Sequence, residues 1–263
     1  MNRRWKAGIS ALLTALALIA PARGAEVAVD NTVLPASRAW VEDGTSYITL
    51  RAFAACGGYD LSWDGQQAVL TGPDLNLTAR PGDLYLTANG RPLYIEGGVR
   101  VKEGVTVLPL RVLAAATGTT LTWDGSAARL TTAGAAPARA AYNSEDLYWL
   151  ARVISAESRG EPLLGQIAVG NVVLNRVKTG QFPNTVKEVV FDRKNGVQFE
   201  PVSNGTIYDA PTDSALLAAK LCLEGASVVG DCLYFYAPAL SKGTWIVTNR
   251  TYHTTIGCHR FYR

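Results

Sequence analysis

The chain has 263 residues, a formal net charge of +3 and 48% hydrophobic residues, enough to bury a real core and to form two modest domains. So small a charge, with no dense Lys/Arg stripe, leaves nucleic acid outside the expected partners. With 2 His and no Cys-x-x-Cys pair, neither structural zinc nor another metal or cofactor is expected.

Residues 1–25 have the layout of a secretory signal peptide. Arg3, Arg4 and Lys6 precede an apolar run from Ile9 to Ala20, and small residues follow, with cleavage after Ala22 or Gly24. The run is shorter than the roughly 20 residues that span a bilayer. Export with no membrane span after signal cleavage is expected; an uncleaved anchor is the alternative.

Residues 26–132 contain an internal repeat at an offset of 60 residues. Tyr47-Ile-Thr-Leu-Arg-Ala-Phe-Ala-Ala55 matches Val107-Leu-Pro-Leu-Arg-Val-Leu-Ala-Ala115, Gly58 matches Gly118, and Leu61-Ser-Trp-Asp-Gly65 matches Leu121-Thr-Trp-Asp-Gly125. Each unit reads as a short strand, a helix from about Arg51 or Arg111 closed by Gly58 or Gly118, and a hairpin turning at Trp-Asp-Gly. Trp63 and Trp123, at strand ends beside turns, are expected to pack into the core, a ligand platform being the alternative. The pattern resembles the copper amine oxidase N-terminal-like domain of exported bacterial envelope proteins. That resemblance implies a small α+β module for wall adhesion; this half has no His, so no copper site is expected. Residues 133–143, rich in Ala and containing Pro137, read as a linker.

The stretch Leu147 to Pro162 organises the C-terminal half. Asn143 or Ser144 can cap a helix on which Leu147, Leu150, Ala151 and Ile154 form one apolar face. At 100° per residue, Glu157 falls within about 20° of Leu150, on the side that is otherwise buried. Gly160 is expected to close this helix in the left-handed conformation and Pro162 to open the next. Glu157 then sits in the last turn, where the helix dipole and partial burial both favour its protonated form. A Glu protonated near neutral pH can act as a general acid. The alternative is a structural Glu paired with Arg152 or Arg159.

The helix opened by Pro162 carries Leu163, Leu164, Ile167, Ala168, Leu174 and Val177 and ends at Gly180. Asn171 and Asn175 share one face, where they can contact a sugar or bond a loop, and Arg176 can fix a loop carbonyl or a carboxylate. Another helix spans about Asp213 to Leu223. The chain ends in aromatic segments, Leu233-Tyr-Phe-Tyr236, Trp245 and Ile256-Gly-Cys-His-Arg-Phe-Tyr262, that read as a hairpin. Of the 4 Cys, Cys56, Cys222, Cys232 and Cys258, a disulfide from Cys232 to Cys258 or to Cys222 is the pairing to test.

Seven separated blocks carry a specific resemblance: Ala151-Arg-Val-Ile-Ser-Ala-Glu-Ser-Arg-Gly-Glu-Pro162, Gly165-Gln-Ile-Ala-Val169, Asn175-Arg-Val177, Phe182-Pro183, Gln198-Phe-Glu-Pro201, Leu233-Tyr-Phe235 and Ile256-Gly-Cys-His-Arg-Phe-Tyr262. In this order and spacing they resemble the SleB/CwlJ-type cell wall hydrolases. Cys258 departs from the small residue expected before the His. The resemblance implies a lysozyme-like α+β catalytic domain over 144–263, following the small duplicated α+β module. It also implies an enzyme that cuts peptidoglycan, often spore cortex, by lytic transglycosylation. The family's catalytic glutamate falls on Glu157, and Gln198, Phe199, Tyr234, Tyr236, Asn175 and His259 are the candidates for holding substrate. Competing readings are a hydrolytic muramidase, with Glu161, Glu200, Asp209 or Asp213 as second carboxylate; a zinc amidase, poorly served by two His; a thiol peptidase using Cys222 and His259; and a non-catalytic wall-binding protein.

Overall fold

The computed structural model describes residues 25–194 and 196–263, so the expected signal peptide lies, apart from Ala25, outside the described residues. The first half is built from short strands and two short helices. Strands β1 (Glu26–Val29) and β2 (Thr32–Val33) are followed by β3 (Ala39–Glu42), β4 (Thr45–Thr49), α1 (Leu50–Gly57), β5 (Asp60–Trp63) and β6 (Ala68–Gly72). After β7 (Leu75–Ala79), β8 (Tyr85–Ala88) and β9 (Arg91–Tyr94), the order from β3 onward recurs as β10 (Arg100–Lys102), β11 (Val105–Pro109), α2 (Leu110–Thr117), β12 (Thr120–Trp123) and β13 (Ala127–Thr131). Thr49 caps α1 by accepting the Ala52 N–H, and both helices close on left-handed glycines at 58 and 118.

These strands form three sheets, ordered β12-β13-β1-β2, β10-β11-β4-β3 and β5-β6-β7-β8-β9. In the middle sheet β4 and β11 run antiparallel with Ile48 opposite Leu108, the two positions related by the 60-residue offset. Phe53, Ile48, Leu70, Leu77, Leu108 and Leu113 fill a shared core. Trp63 and Trp123 do not join it: they are 56% and 55% exposed, a correction to their expected place in the core. Their strands run past the core edge before turning, and Leu61 and Leu121, two residues earlier on the same face, make the core contact instead. The turns are held by Asp64 and Asp124, each accepting N–H groups two and three residues on.

The second half is mainly helical. It comprises α3 (Ser144–Ser158), α4 (Leu163–Lys178), α5 (Val186–Val190), α6 (Glu200–Asn204), a 3-10 turn at Thr206–Tyr208 and α7 (Asp213–Leu223). Then come β14 (Tyr234–Tyr236), α8 (Thr244–Asn249), β15 (Tyr252–Ile256) and β16 (His259–Tyr262). Helices α3, α4 and α7 pack around Leu150, Ile154, Ile167, Val173, Ala218 and Leu221, all fully buried. The strands form a sheet ordered β14-β16-β15. Trp245, read as part of an aromatic hairpin, stands on α8.

Two local expectations are corrected. Helix α3 ends through Arg159 in the right-handed conformation (φ −57, ψ −26) rather than on a left-handed Gly160, because the Glu161 N–H bonds back to the Ser158 carbonyl at 2.9 Å. None of the four cysteines is in a disulfide. Cys222 is buried where α7 crosses α4, its thiol 3.4 Å from the Ile167 carbonyl, Cys232 lies in a separate apolar cluster, and Cys258 is exposed. Each buried thiol already fills an apolar site, which satisfies it as a small hydrophobe.

Candidate active site

Asn143 starts α3 by accepting the N–H groups of Glu145 and Asp146 at 2.9 and 3.0 Å. That start sets the rotation of the helix, so fully buried Leu150 and half-buried Glu157 lie on one side. Neither expected ion pair forms. Arg152 lies over the Tyr148 ring, 3.6 Å from its centroid, and Arg159 donates to the Ser155 carbonyl. Burial pushes the Glu157 carboxyl up to about 7, and the negative charge of Glu200 adds to the rise while Arg176 opposes it. This carboxyl therefore exchanges its proton near neutral pH.

Arg176, on α4, is the cation whose charge reaches it. The side chain is only 5% exposed. Its Nε donates to the Leu233 carbonyl at 2.8 Å and its Nη1 to Gln198 Oε1 at 3.4 Å. The guanidinium lies 4.8, 5.2 and 5.7 Å from the ring centroids of Phe182, Phe199 and Tyr234. Burial lowers its pKa to about 10, which still leaves it charged at neutral pH. Beyond Tyr234, Arg250 donates to the tyrosine hydroxyl at 3.1 Å and lies 4.6 and 4.7 Å from the ring centroids of Tyr234 and Trp245, which themselves meet edge to face. Trp245 is 56% exposed. The result is a titrating carboxyl flanked by a fixed cation, with an open edge made of Gln198, Tyr234, Arg250 and Trp245.

Of the residues singled out in the sequence, Gln198 and Tyr234 gather around Arg176, whose charge reaches Glu157, and the others make contacts within the fold. Phe199 is 2% exposed in the core beneath Arg176. Asn175 donates both amide bonds to loop carbonyls, Gly230 at 2.8 Å and Cys232 at 3.0 Å. The Tyr236 ring lies against Gly243 on one side and Tyr262 on the other. His259 is 6% exposed and packs on Phe235; burial lowers its pKa despite Glu161 at 3.8 Å, so the contact joins a neutral ring to a carboxylate. Arg250, missed in the sequence, carries no signal there beyond being a cation between aromatic segments.

Glu161, four residues from Glu157, has a different fate. Its carboxylate accepts the Cys258 N–H at 2.8 Å beneath the β15–β16 turn. Gly257 makes this approach possible, with φ of 57° and no side chain to collide with the carboxylate. Cys258 engages Glu161 through its main-chain N–H, and its exposed thiol bonds the same carboxylate, so the turn accommodates a residue larger than Gly.

Residues 160–262 match the Cell Wall Hydrolase family, and residues 19–132 match the Copper amine oxidase N-terminal domain, beginning inside the expected signal peptide. The cell wall hydrolase CwlJ of Oceanobacillus iheyensis is 30% identical over 103 residues, which are 37% of this chain and 72% of that protein. The chain belongs to the cell wall hydrolase family. The spore cortex-lytic enzyme of Bacillus cereus is 39% identical over 120 residues, 46% of this chain and 45% of that enzyme. The chain thus spans a little under half the length of that relative. Among solved structures, the catalytic domain of the germination-specific lytic transglycosylase SleB from Bacillus anthracis is 37% identical, with 48% of this chain and 100% of that domain covered at a TM-score of 0.43. Glu157 lies just upstream of the stretch matched to the hydrolase family.

Proposed function

We propose that the chain degrades peptidoglycan by cleaving the β-1,4 bond from N-acetylmuramic acid to N-acetylglucosamine, as a lytic transglycosylase acting on spore cortex. The observation that carries this is the state of Glu157: half-buried, without an ion-pair partner among the described residues, and titrating at about 7 beside a fixed cation. In the first step the protonated carboxyl gives its proton to the glycosidic oxygen as the bond to C1 breaks. The resulting carboxylate, reached by the charge of Arg176, takes the proton of the muramoyl C6 hydroxyl as that oxygen bonds to C1. The product is a 1,6-anhydro sugar, and no water is consumed. Gln198, Tyr234 and Trp245 form the edge on which the sugars lie, with the aromatic faces packing on C–H groups.

A hydrolytic muramidase is the second reading, favoured by one observation: the charge of Glu200 reaches Glu157. A second carboxylate so placed could activate water. Glu161, by contrast, is committed to the turn. Mass spectrometry of muropeptides released from purified cortex and from vegetative walls separates these outcomes. Anhydromuramic ends support the transglycosylase, reducing muramic ends move the assignment to Glu200 and water, and free peptides would mean an amidase. Release from neither wall would leave a binding protein.

We further read 144–263 as a lysozyme-like catalytic domain, 133–143 as the linker, 26–132 as a duplicated wall-binding module and 1–25 as a signal for export to the wall or spore envelope. The pairing of Ile48 with Leu108 supports the duplication, because two copies related by a two-fold axis place matching residues opposite each other.

A further inference from the structure

A groove of about 520 Å³ lies where the two halves of the chain meet, and neither Glu157 nor Arg176 lines it. One wall comes from β4, α2 and the β3–β4 turn, the other from the end of α7 and Gly225–Ser227. The walls are held together by Arg91, which donates Nε and Nη2 to the Glu224 carboxylate, the latter at 2.8 Å, and Nη1 to the Ala115 carbonyl at 3.1 Å. Both side chains of this pair are nearly shielded from solvent, 14% and 11% exposed. Its geometry is the bidentate kind that fixes orientation as well as distance. Tyr85 and Tyr94 also pack from the first half onto the core of the second. The groove is therefore a shaped feature rather than a gap between loose parts.

Its chemistry is charged and mixed in sign. Tyr47 lines it, and beside Tyr47 the Trp40 ring stacks at 6.0 Å. The rings are not bare: the Arg100 guanidinium covers Tyr47 at 4.8 Å and the Lys102 ammonium covers Trp40 at 4.0 Å. Sugar stacking needs an open ring face, so these rings are poorly placed for glycan. Glu42 is occupied by Arg100 at 3.0 Å and by the Trp40 indole N–H. Three charges on the lining keep no ion-pair partner among the described residues: Asp43, Glu96 and Arg111, the last bonded only to the Thr45 hydroxyl at 3.3 Å. All three are exposed to water, and a neutral sugar would offer none of them an opposite charge. A short peptide carrying both a free amine and free carboxylates would pair with both signs, and the volume lies within the roughly 300–1,000 Å³ typical of small-ligand sites.

We infer that this junction groove is a second, non-catalytic site that binds the peptide stem of the wall polymer, its amine set between Asp43 and Glu96 and a carboxylate on Arg111. The inference rests on the reading of peptidoglycan as substrate. It gives the linked module a purpose: a second contact on the same polymer raises the effective concentration of glycan at Glu157.

The test is calorimetric titration of the full chain with a free stem tetrapeptide, L-alanyl-γ-D-glutamyl-diaminopimelyl-D-alanine, beside a neutral β-1,4 N-acetylglucosamine tetramer. The parent should bind the peptide, Arg111→Glu and Asp43→Lys should each weaken it at least tenfold, and both exposed positions should leave the circular dichroism spectrum unchanged. Glu157→Gln should bind the peptide like the parent, which separates failure at the groove from failure of the catalytic reading. No heat with peptide at millimolar concentration would overturn the inference. So would tetramer binding that Arg111→Glu removes, or peptide binding that neither charge reversal alters.

Discussion

The two halves of the molecule bury different things. Below the surface of the first half the polar residues are Thr49, Thr106, Thr117 and Thr119, while the second half buries Ser155, Ser158, Gln166, Asn171, Arg176 and His259. The threonines are inexpensive: Thr117, for example, satisfies its hydroxyl on the Leu113 carbonyl and on Thr119. Burying Arg176 and half-burying Glu157 is costly, because ions lose hydration that rings and carbonyls only partly replace. A fold keeps such an arrangement against its own stability when the site has work to do. The unpaired charges on the groove of the first half, Asp43, Glu96 and Arg111, stay exposed to water, where they cost the fold little.

The largest effect that would test this contrast is in catalysis. Glu157→Gln keeps the shape of the side chain and removes its proton, and should slow release of muropeptides from cortex by roughly 10²–10⁴-fold. A variant that lyses walls at the parental rate would break the comparison, since the unpaired carboxyl would then be an idle group. Next in size is Arg176→Leu, which strands the Leu233 carbonyl and removes the cation whose charge reaches Glu157. It should cost about 2–4 kcal/mol in urea unfolding. With the lowering influence of Arg176 gone, the alkaline limb of kcat/KM should move to higher pH than in the parent.

Much of this was legible in the sequence, and the limits have physical reasons. Helical periodicity placed Glu157 on the buried side of its helix because 3.6-residue spacing from Leu150 is a local property. The cation that acts on it was legible only in part: Arg152 and Arg159 were near in sequence and Arg176 was free to fix some carbonyl or carboxylate, but only tertiary packing brings the charge of Arg176, on α4, to bear on Glu157. The same limit explains Asn175 and His259. Residue type allowed a sugar contact for each, while the carbonyls of Gly230 and Cys232 that take the Asn175 amide, and the Phe235 ring against which His259 is buried, come from segments that only the tertiary fold brings near. The 60-residue repeat pointed to β4, α1 and the β5–β6 hairpin and to their counterparts β11, α2 and β12–β13, since each is set by short motifs, whereas β7, β8 and β9 carried no such motif. Whether Trp63 reached the core depended on where that core ends, which no motif encodes.

Glu157 should also leave a mark on stability. Its folded pKa of about 7 lies above the ordinary 4.5, so between those values the folded chain keeps a proton that the unfolded chain has released. Stability is therefore undiminished by this group below about pH 4.5, falls as pH rises to about 7, and stays lowered above it. Glu157→Gln removes the penalty. It should be more stable than the parent by on the order of 2 kcal/mol at pH 8 and equal to it at pH 4, after discounting for partial exposure. Parallel pH profiles for the two proteins would mean that the carboxyl is an ordinary solvated one. Glu161→Gln gives the opposing case: it weakens the charge-assisted bond from the Cys258 N–H and should cost about 1 kcal/mol. Its rate should follow folded protein alone, whereas a loss of 10²-fold or more, on the order expected for an acid or base, would restore Glu161 as a second carboxylate.

The smallest effect belongs to the first half and concerns its two exposed tryptophans. If Trp63 and Trp123 completed the core, replacing either with Ala would cost about 3–5 kcal/mol, as for any large buried aromatic. Each ring is more than half exposed, at 56% and 55%, on a hairpin whose core contact is made by Leu61 or Leu121. The expected cost is then under about 1 kcal/mol for each, with an unchanged urea m-value, because little apolar area is removed from contact. The same variants bear on what the rings are for. Aromatic surface left open at two matching turns suits contact with a polymer, so cosedimentation with purified walls should weaken when both rings are removed together. Stability losses of core size would instead place the rings inside and leave the charged groove as the principal contact surface of this half.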